Sequence, residues 1–119
     1  MNDQDIEKEI QEKGLTAPRV TLDDIEANIL SEHYFTAADG VIGTMDYDST
    51  PQSHPCPDVL DLLTFCVLVL RNGFTVTGES ACVSQENFDF AIGCKIARQN
   101  AVEKIWPLMG YALKERLQS

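Results

Sequence analysis

Lys95 and Arg98 are the side chains whose types and spacing best suit the binding of an anion. They lie in a segment with helical periodicity, and residues three apart on a helix project from neighbouring points of one face. Two cations placed in this way can grip phosphate oxygens, and an arginine guanidinium can do so through paired hydrogen bonds. The spacing therefore predicts an anion site on this helix, with Arg98 as the first residue to test.

The cysteines and histidines offer weaker chemistry. The four cysteines, at positions 56, 66, 82 and 94, form no CxxC pair, and the two histidines are His33 and His54. The regular four-ligand spacing that marks a structural zinc site does not occur in this pattern. Neither does a nucleotide-hydrolysing loop, a nucleophile elbow or a metalloprotease motif. We expect no catalytic residue, no metal and no cofactor.

Tyr34 and Phe35 stand at the entrance of a long segment without periodicity. Residues 35–58 are interrupted by glycines and prolines, and they are long for a connection inside a small domain. We expect a loop there that is either disordered or functional. Each of the two aromatic residues is either a core anchor or part of a stacking face for a ligand, and the Tyr34 hydroxyl needs a polar partner.

A β-hairpin is the first element that must position these residues. The run Leu62 to Leu70 is apolar on both faces, which predicts a strand covered on both sides by a helix or by another subunit. Asn72-Gly73 predicts a two-residue type I′ turn. The alternation that follows predicts a half-buried second strand, with Val76 and Gly78 on one face.

A long helix follows the hairpin. Ser84 can cap this helix, and apolar residues then recur at helical spacing as far as Leu117. Pro107 lacks an amide donor and crowds the carbonyl of Glu103, so the helix should kink or break there. A two-stranded hairpin is marginal alone and needs this cover. The predicted fold is α+β: N-terminal helices and an antiparallel hairpin packed on a long, kinked C-terminal helix, in an oligomer.

Two shorter helices precede the hairpin. Residues 3–13 look helical, although Ile6 and Ile10 are their only apolar contacts, and Gly14 is a suitable stop. Thr21 can cap a second helix, which we expect to end between Glu32 and Tyr34. We therefore describe residues 1–119 as a single domain, with an N-terminal extension at 1–20, the long loop at 35–58 and the hairpin-plus-helix core at 62–117.

Charge is distributed unevenly over the 119 residues, whose formal net charge is −10. Residues 1–61 hold 14 acidic and 3 basic side chains, net −11, and residues 62–119 hold 5 acidic and 6 basic, net +1. This acidity argues against duplex nucleic acid as a ligand. The longest apolar run, Phe65 to Leu70, is far below the ~20 residues of a membrane span, and the acidic N-terminal segment does not resemble a signal peptide. We expect a cytosolic protein with any anion site in its second half.

A resemblance to a known family is carried by residues 72–111. The run NGFTVTGESACVSQENFDFAIGCKIARQNAVEKIWPLMGY resembles a family of small phage proteins that share an NGF hairpin turn, an ES or SS pair followed by Cys-Val, an Asn-Phe-Asp helix start and a KIW-x-L-x-GY helix end. The segment EHYFTAADG is similar to the longer members. This family includes the anti-CBASS cyclic-nucleotide sponge of phages.

The resemblance implies a homo-oligomer, hexameric in the sponges, that binds cyclic oligonucleotide second messengers without cleaving them in the cytoplasm of the infected bacterial host. In the sponges a tyrosine and a lysine serve a cyclic dinucleotide pocket, and an arginine and a threonine serve a separate cyclic trinucleotide pocket. Tyr34, Thr64 and Arg98 match three of these, and Leu62 stands near the place expected for the lysine. Together with Lys95, which is added from its spacing, Tyr34, Thr64 and Arg98 make four candidate ligand-binding residues. The ligand is left open between a cyclic dinucleotide, a cyclic trinucleotide and a related nucleotide signal.

The acidic first half supports an alternative hypothesis. A surface with that charge could mimic nucleic acid or mask a basic surface of a host factor, which would make the protein an interaction inhibitor. Binding of a small nucleotide by the purified protein would discriminate between the two hypotheses.

Overall fold

The structure, a computed structural model, describes residues 2–15, 17–45 and 56–119. These residues form an α+β fold with N-terminal helices, a three-stranded antiparallel sheet and a long C-terminal helix. The elements are α1 (Asp3–Glu12), α2 (Leu22–Ala27), β1 (Ile29–Thr36), α3 (Ala37–Gly43), β2 (Leu63–Leu70), β3 (Thr75–Ala81) and α4 (Phe90–Gln118), with 3₁₀ turns at Asp58–Leu62 and Gln85–Asn87.

The first three helices begin in the same way. At each start an Asn or Thr side chain accepts a hydrogen bond from the backbone amide of the Asp three residues later. The carboxylate of that Asp accepts a hydrogen bond from the backbone amide of the capping residue. Such a capping box satisfies two amide groups that have no partner inside the helix. The pairs are Asn2 with Asp5, Thr21 with Asp24, and Thr36 with Asp39. Part of the acidic excess in the first half is therefore structural.

The second helix is shorter than the sequence indicates. We expected it to end between Glu32 and Tyr34, and this is wrong: it ends at Ala27, and residues Ile29–Thr36 form β1, which pairs with β2. The segment ILSEHYFT is rich in β-branched and aromatic residues, which favour strands. The paired residues of β2 lie 28 (Thr36 and Thr64) to 41 (Ile29 and Leu70) positions further along the chain, so local periodicity does not indicate the pairing.

The long loop predicted at 35–58 is also shorter. Phe35 and Thr36 end β1, and Ala37–Gly43 form α3, which Thr36 caps. Ala38 is 3% exposed, so this helix is packed into the fold. The rest of the predicted loop includes residues 46–55, which lie outside the described residues.

The hairpin is confirmed, but its turn is of another type. The Gly73 amide donates to the Leu70 carbonyl at 2.9 Å, and the Leu70 amide to the Phe74 carbonyl at 2.8 Å. Gly73 has a φ of +90°, and no residue other than glycine has a positive φ in the described part of the chain. A type I′ turn would need positive φ at Asn72 as well. The connection is thus a three-residue loop in which a type I turn precedes a left-handed glycine.

The sheet has the order β1-β2-β3, with β2 in the centre. Tyr34, Cys66 and Gly78 lie side by side across it, on the face that packs against α4. The buried core forms between that face and the helix, and its largest members include Leu68 and Ile105.

The opposite face of the sheet keeps part of its apolar surface exposed in the single chain. The β2 side chains on this face are Leu63, Phe65, Val67 and Val69, each half-buried. The Phe65 ring packs against Phe35 with ring centroids 5.7 Å apart. A cover for this face by another subunit remains a prediction.

The C-terminal helix differs from expectation at its start and continues through its proline. Ser84 begins a 3₁₀ turn without a side-chain hydrogen bond, and α4 is capped by Asp89, whose carboxylate accepts from the Ile92 amide at 3.1 Å. Pro107 lies inside a helix that continues to Gln118, so a break at this residue is wrong, and a kink stays a prediction. At 1.5 Å per residue, 29 residues give α4 a length of about 44 Å.

The molecule is long and flat for its size. Its principal extents are 61 × 34 × 16 Å, and its radius of gyration is 18.8 Å, against about 13.5 Å expected for a compact domain of this length. Its accessible surface of 8430 Å² exceeds by about 2,000 Å² the value expected for a compact monomer of this mass.

Candidate functional site

Arg98 lies on α4, where three elements meet. Its guanidinium forms a bidentate pair with Glu26 of α2, with Nη1 to Oε1 at 3.1 Å and Nη2 to Oε2 at 2.7 Å. It forms a second pair with Glu32 of β1, with Nε to Oε1 and Nη2 to Oε2 both at 3.1 Å. Hydrogen bonds to both carboxylates raise the pKa of Arg98, so it is a permanent cation. Four guanidinium hydrogen bonds fix its orientation.

Tyr34 reaches the same carboxylate from β1. Its hydroxyl donates to Glu32 Oε1 at 2.6 Å, and its ring packs against the core. Burial, and then the hydrogen bond to Glu32, raise the pKa of Tyr34. The hydrogen bonds from Arg98 and from Tyr34 lower the pKa of Glu32. Tyr34, Glu32, Arg98 and Glu26 therefore form one hydrogen-bonded network.

Lys95 and Arg98 line one open cleft beside α4. The cleft has a volume of about 360 Å³ and lies between α4 and α2. Its walls are apolar at Leu22, Ile96 and Val102, and its polar lining is completed by Glu26 and Gln99. The spacing that suggested a shared face thus corresponds to a surface with two cations beside apolar walls.

Thr64 lies elsewhere, on the face of β2 that packs against α4. Its side chain has no exposed surface, and its Oγ1 has no hydrogen-bond partner among the described residues. A Cβ added at Gly93 would come within 2.8 Å of this oxygen, so the helix crosses the strand closely here. Of the four candidate residues, the structure brings Lys95 and Arg98 to one cleft, connects Tyr34 to it through Glu32, and places Thr64 in the core.

The two glutamates of the network were not foreseen from the sequence. Glu26 and Glu32 belong to elements that are 66 or more residues from Arg98, and no spacing rule connects them to it. The acidic first half gave only the general expectation that carboxylates would be available to pair with cations.

Over residues 2–15, 17–45 and 56–119, no group of three His, Cys, Asp or Glu side chains is placed to hold a metal ion. In the same part of the chain, no helix is long and apolar enough to cross a membrane.

Comparison with known proteins gives one family match. The model of the phage protein (N4 Gp49/phage Sf6 gene 66) family matches residues 20–117, which include both walls of the cleft and all four candidate residues. No curated protein and no solved structure matches the chain.

Proposed function

The chain belongs to this phage protein family, and on that premise we propose that it binds a cyclic oligonucleotide signal of host immunity and sequesters it without cleaving it. The resemblance of residues 72–111 to the cyclic-nucleotide sponges supports this function. Sequestration acts by mass action, so it requires abundance and tight binding but no catalytic group. The site of action would be the cytoplasm of the infected host cell.

The cleft that Lys95 and Arg98 share is the observation that carries the proposal. A cyclic oligonucleotide has phosphates, which need cations, and bases, which need apolar or stacking surface. Lys95 and Arg98 supply the cations, and the walls at Leu22, Ile96 and Val102 supply the apolar surface. The open shape of the cleft suits a half-site that a second copy of the chain completes, as in the oligomeric sponges.

Glu26 is the group with which a phosphate must compete. The two cations and the two glutamates of the site sum to zero charge, so an anion gains little unless one carboxylate leaves. The Glu26 side chain is 46% exposed and can turn to solvent, whereas Glu32 is also held by Tyr34. In the bound state, Glu32 would orient the guanidinium while phosphate oxygens replace Glu26. Tyr34 then acts as a positioning residue, because it holds Glu32 through a hydrogen bond. Thr64 would contact a ligand only if α4 moved away from the sheet.

A ligand panel tests this function. The purified protein is titrated with cyclic dinucleotides, cyclic trinucleotides and cyclic ADP-ribose isomers, with melting temperature and calorimetry as readouts. One class should stabilise the wild type by about 2.7 kcal/mol at a hundredfold excess over Kd. Recovered ligand should be chemically unchanged.

Variants locate the binding. Lys95→Ala and Arg98→Ala should weaken binding at least tenfold, Glu26→Gln should tighten it, and Lys104→Ala on an exposed part of α4 is the matched control. Since Arg98→Ala leaves two carboxylates close together and could unfold the site, Lys95→Ala carries the test if that variant is unstable.

A flat panel for the wild type would overturn the proposal and favour the acidic interaction inhibitor. In that case, removal of residues 1–20 and neutralisation of the loop acids should abolish the inhibition of the host factor.

A further inference from the structure

Three of the four arginines of this acidic chain line a single cavity. The arginines are at positions 19, 71, 98 and 116, and all except Arg98 surround a cavity of about 530 Å³. We call this cavity the arginine cleft. It lies where the hairpin loop, the segment before α2 and the last turns of α4 meet, apart from the cleft of Lys95 and Arg98. The rest of its lining consists of Val20, Asp24, Ala27, Asn28, Asn72, Met109, Ala112 and Leu113.

The hairpin loop fixes Arg71 at the rim of this cleft. Its backbone amide donates to the Asn28 carbonyl at 3.0 Å, and its Nε donates to the Ala27 carbonyl. The second bond holds the guanidinium through its Nε. Its two terminal nitrogens have no hydrogen-bond partner among the described residues, so four N–H donors remain for a ligand.

Arg116 and Arg19 approach from two other elements. Arg116, in the last turn of α4, makes no side-chain hydrogen bond or ion pair within the described part of the chain, and it is exposed. Arg19 forms a bidentate pair with Glu7 of α1, at 2.8 and 2.6 Å. The cleft thus has two guanidiniums with open donors and a third that one carboxylate neutralises.

The charge and lining of the arginine cleft favour an anion with an apolar part. Asp24 is its only acidic lining residue, and its carboxylate accepts a hydrogen bond from the Thr21 amide at 2.9 Å. Three guanidiniums against Asp24 and Glu7 leave the cleft with a net positive charge. Val20, Met109 and Leu113 supply apolar surface, and the side-chain amides of Asn28 and Asn72 add polar groups. A guanidinium can bind a phosphate through two parallel N–H···O hydrogen bonds. The volume of the cleft, about 530 Å³, lies within the range of small-molecule sites.

We propose that the arginine cleft binds a ligand of the nucleoside diphosphate class, with phosphates on Arg71 and Arg116 and the nucleoside against Met109 and Leu113. This site is separate from the cleft of Lys95 and Arg98, and it does not depend on the function proposed there. A cation-lined cavity in a chain of net charge −10 is a local exception, which composition alone would not have revealed.

ADP and inorganic pyrophosphate are the probes that test this site, by calorimetry at two salt concentrations. ADP should bind, more weakly at higher salt because the contact is ionic. Pyrophosphate should bind more weakly than ADP, because it cannot use the apolar floor. Arg116→Gln should raise the Kd for ADP at least tenfold, whereas Lys114→Gln, an exposed cation two residues away, should leave it unchanged.

The failure of this proposal can be told apart from failure of the first. Arg71→Gln tests the loop contact, and Lys95→Ala should not change ADP binding if the two clefts are separate. The proposal is overturned if ADP does not bind at millimolar concentration, if Arg116→Gln and Lys114→Gln have equal effects, or if Lys95→Ala removes ADP binding. Pyrophosphate that binds as tightly as ADP would overturn the nucleoside part.

Discussion

Thr64 carries a hydroxyl into the interface between the sheet and α4, where no described residue accepts or donates a hydrogen bond to it. A buried polar group without a partner costs about 1 to 3 kcal/mol. We therefore expect Thr64→Val, which has nearly the same shape, to raise the free energy of unfolding by about 1 kcal/mol in urea denaturation. A loss of stability in Thr64→Val would contradict this expectation, because it would mean that the hydroxyl has a hydrogen-bond partner.

The same variant separates a structural role of Thr64 from a ligand-binding one. If the hydroxyl touches the nucleotide, as the resemblance implies, Thr64→Val should weaken binding while it stabilises the fold. Unchanged binding would assign the residue to packing alone.

Glu32 gives the fold a dependence on pH. Arg98, and then Tyr34, hold the pKa of its carboxyl below the ordinary value of 4.5. A group whose pKa is lower in the folded state contributes stability above its unfolded pKa and loses it as pH falls through the folded pKa. We expect the free energy of unfolding to decline below about pH 4.5, with a smaller decline in Glu32→Gln. The control is Glu103→Gln, which removes a carboxylate with no ion pair among the described residues. The same decline of the free energy of unfolding with pH in the wild type and both variants would contradict the role of Glu32.

At the scale of elements, Gly78 determines how closely α4 approaches the sheet. A Cβ at this position would lie 2.2 Å from the Ala97 carbonyl oxygen and 2.4 Å from the Ala101 amide nitrogen. Both are backbone atoms of α4, so neither can move aside alone. The small residues Ala97 and Ala101 permit the same approach from the helix side.

We predict that Gly78→Ala lowers the free energy of unfolding by more than about 3 kcal/mol, since the helix must shift away from the strand. Gly110→Ala is the control: this glycine lies in α4, with open space where its Cβ would be. There, alanine should raise the free energy of unfolding by roughly 0.5 to 1 kcal/mol through helix propensity. Equal effects in urea denaturation would contradict the close contact.

The elements differ in how far sequence could predict them. The hairpin and α4 were predictable because the elements that they pack against are neighbours along the chain. Asn72-Gly73 indicates the hairpin turn, and the long run of apolar residues at helical spacing indicates α4. β1 was assigned to a helix because its strand character depends on pairing with β2, which no local pattern contains. For the site, the spacing of Lys95 and Arg98 suggested a shared surface, whereas Glu26 and Glu32 became visible only when the fold brought α2 and β1 to the same place.

The whole molecule exposes more surface than a compact monomer of its mass. Its excess of about 2,000 Å² over a compact monomer is larger than the ~800 Å² that each partner contributes to a standard interface, and the outer face of β2 supplies apolar surface for one. The resemblance to the sponges carries the expectation of a hexamer. We therefore predict a homo-oligomer in which a neighbouring copy covers the outer face of the sheet.

Light scattering coupled to size exclusion tests this assembly. The wild type should have a mass that is a multiple of 13.2 kDa, and Val67→Asp, at the centre of the outer sheet face, should shift it toward the single chain. The helical circular dichroism signal of the variant serves to check that it folds. A wild-type mass of 13.2 kDa would contradict the prediction.

The order of strands along the chain has a consequence for biosynthesis. Of the three strands, β1 leaves the ribosome first, and β2 begins 27 residues after β1 ends. At a synthesis rate of ~5–20 residues per second, β1 waits roughly one to five seconds before synthesis of its partner begins. The helix that covers the sheet is made after all three strands, because α4 follows β3 along the chain. Translation that stops before Phe90 would therefore release a sheet exposed on both faces, and such a fragment should be degraded or aggregate instead of joining complete chains.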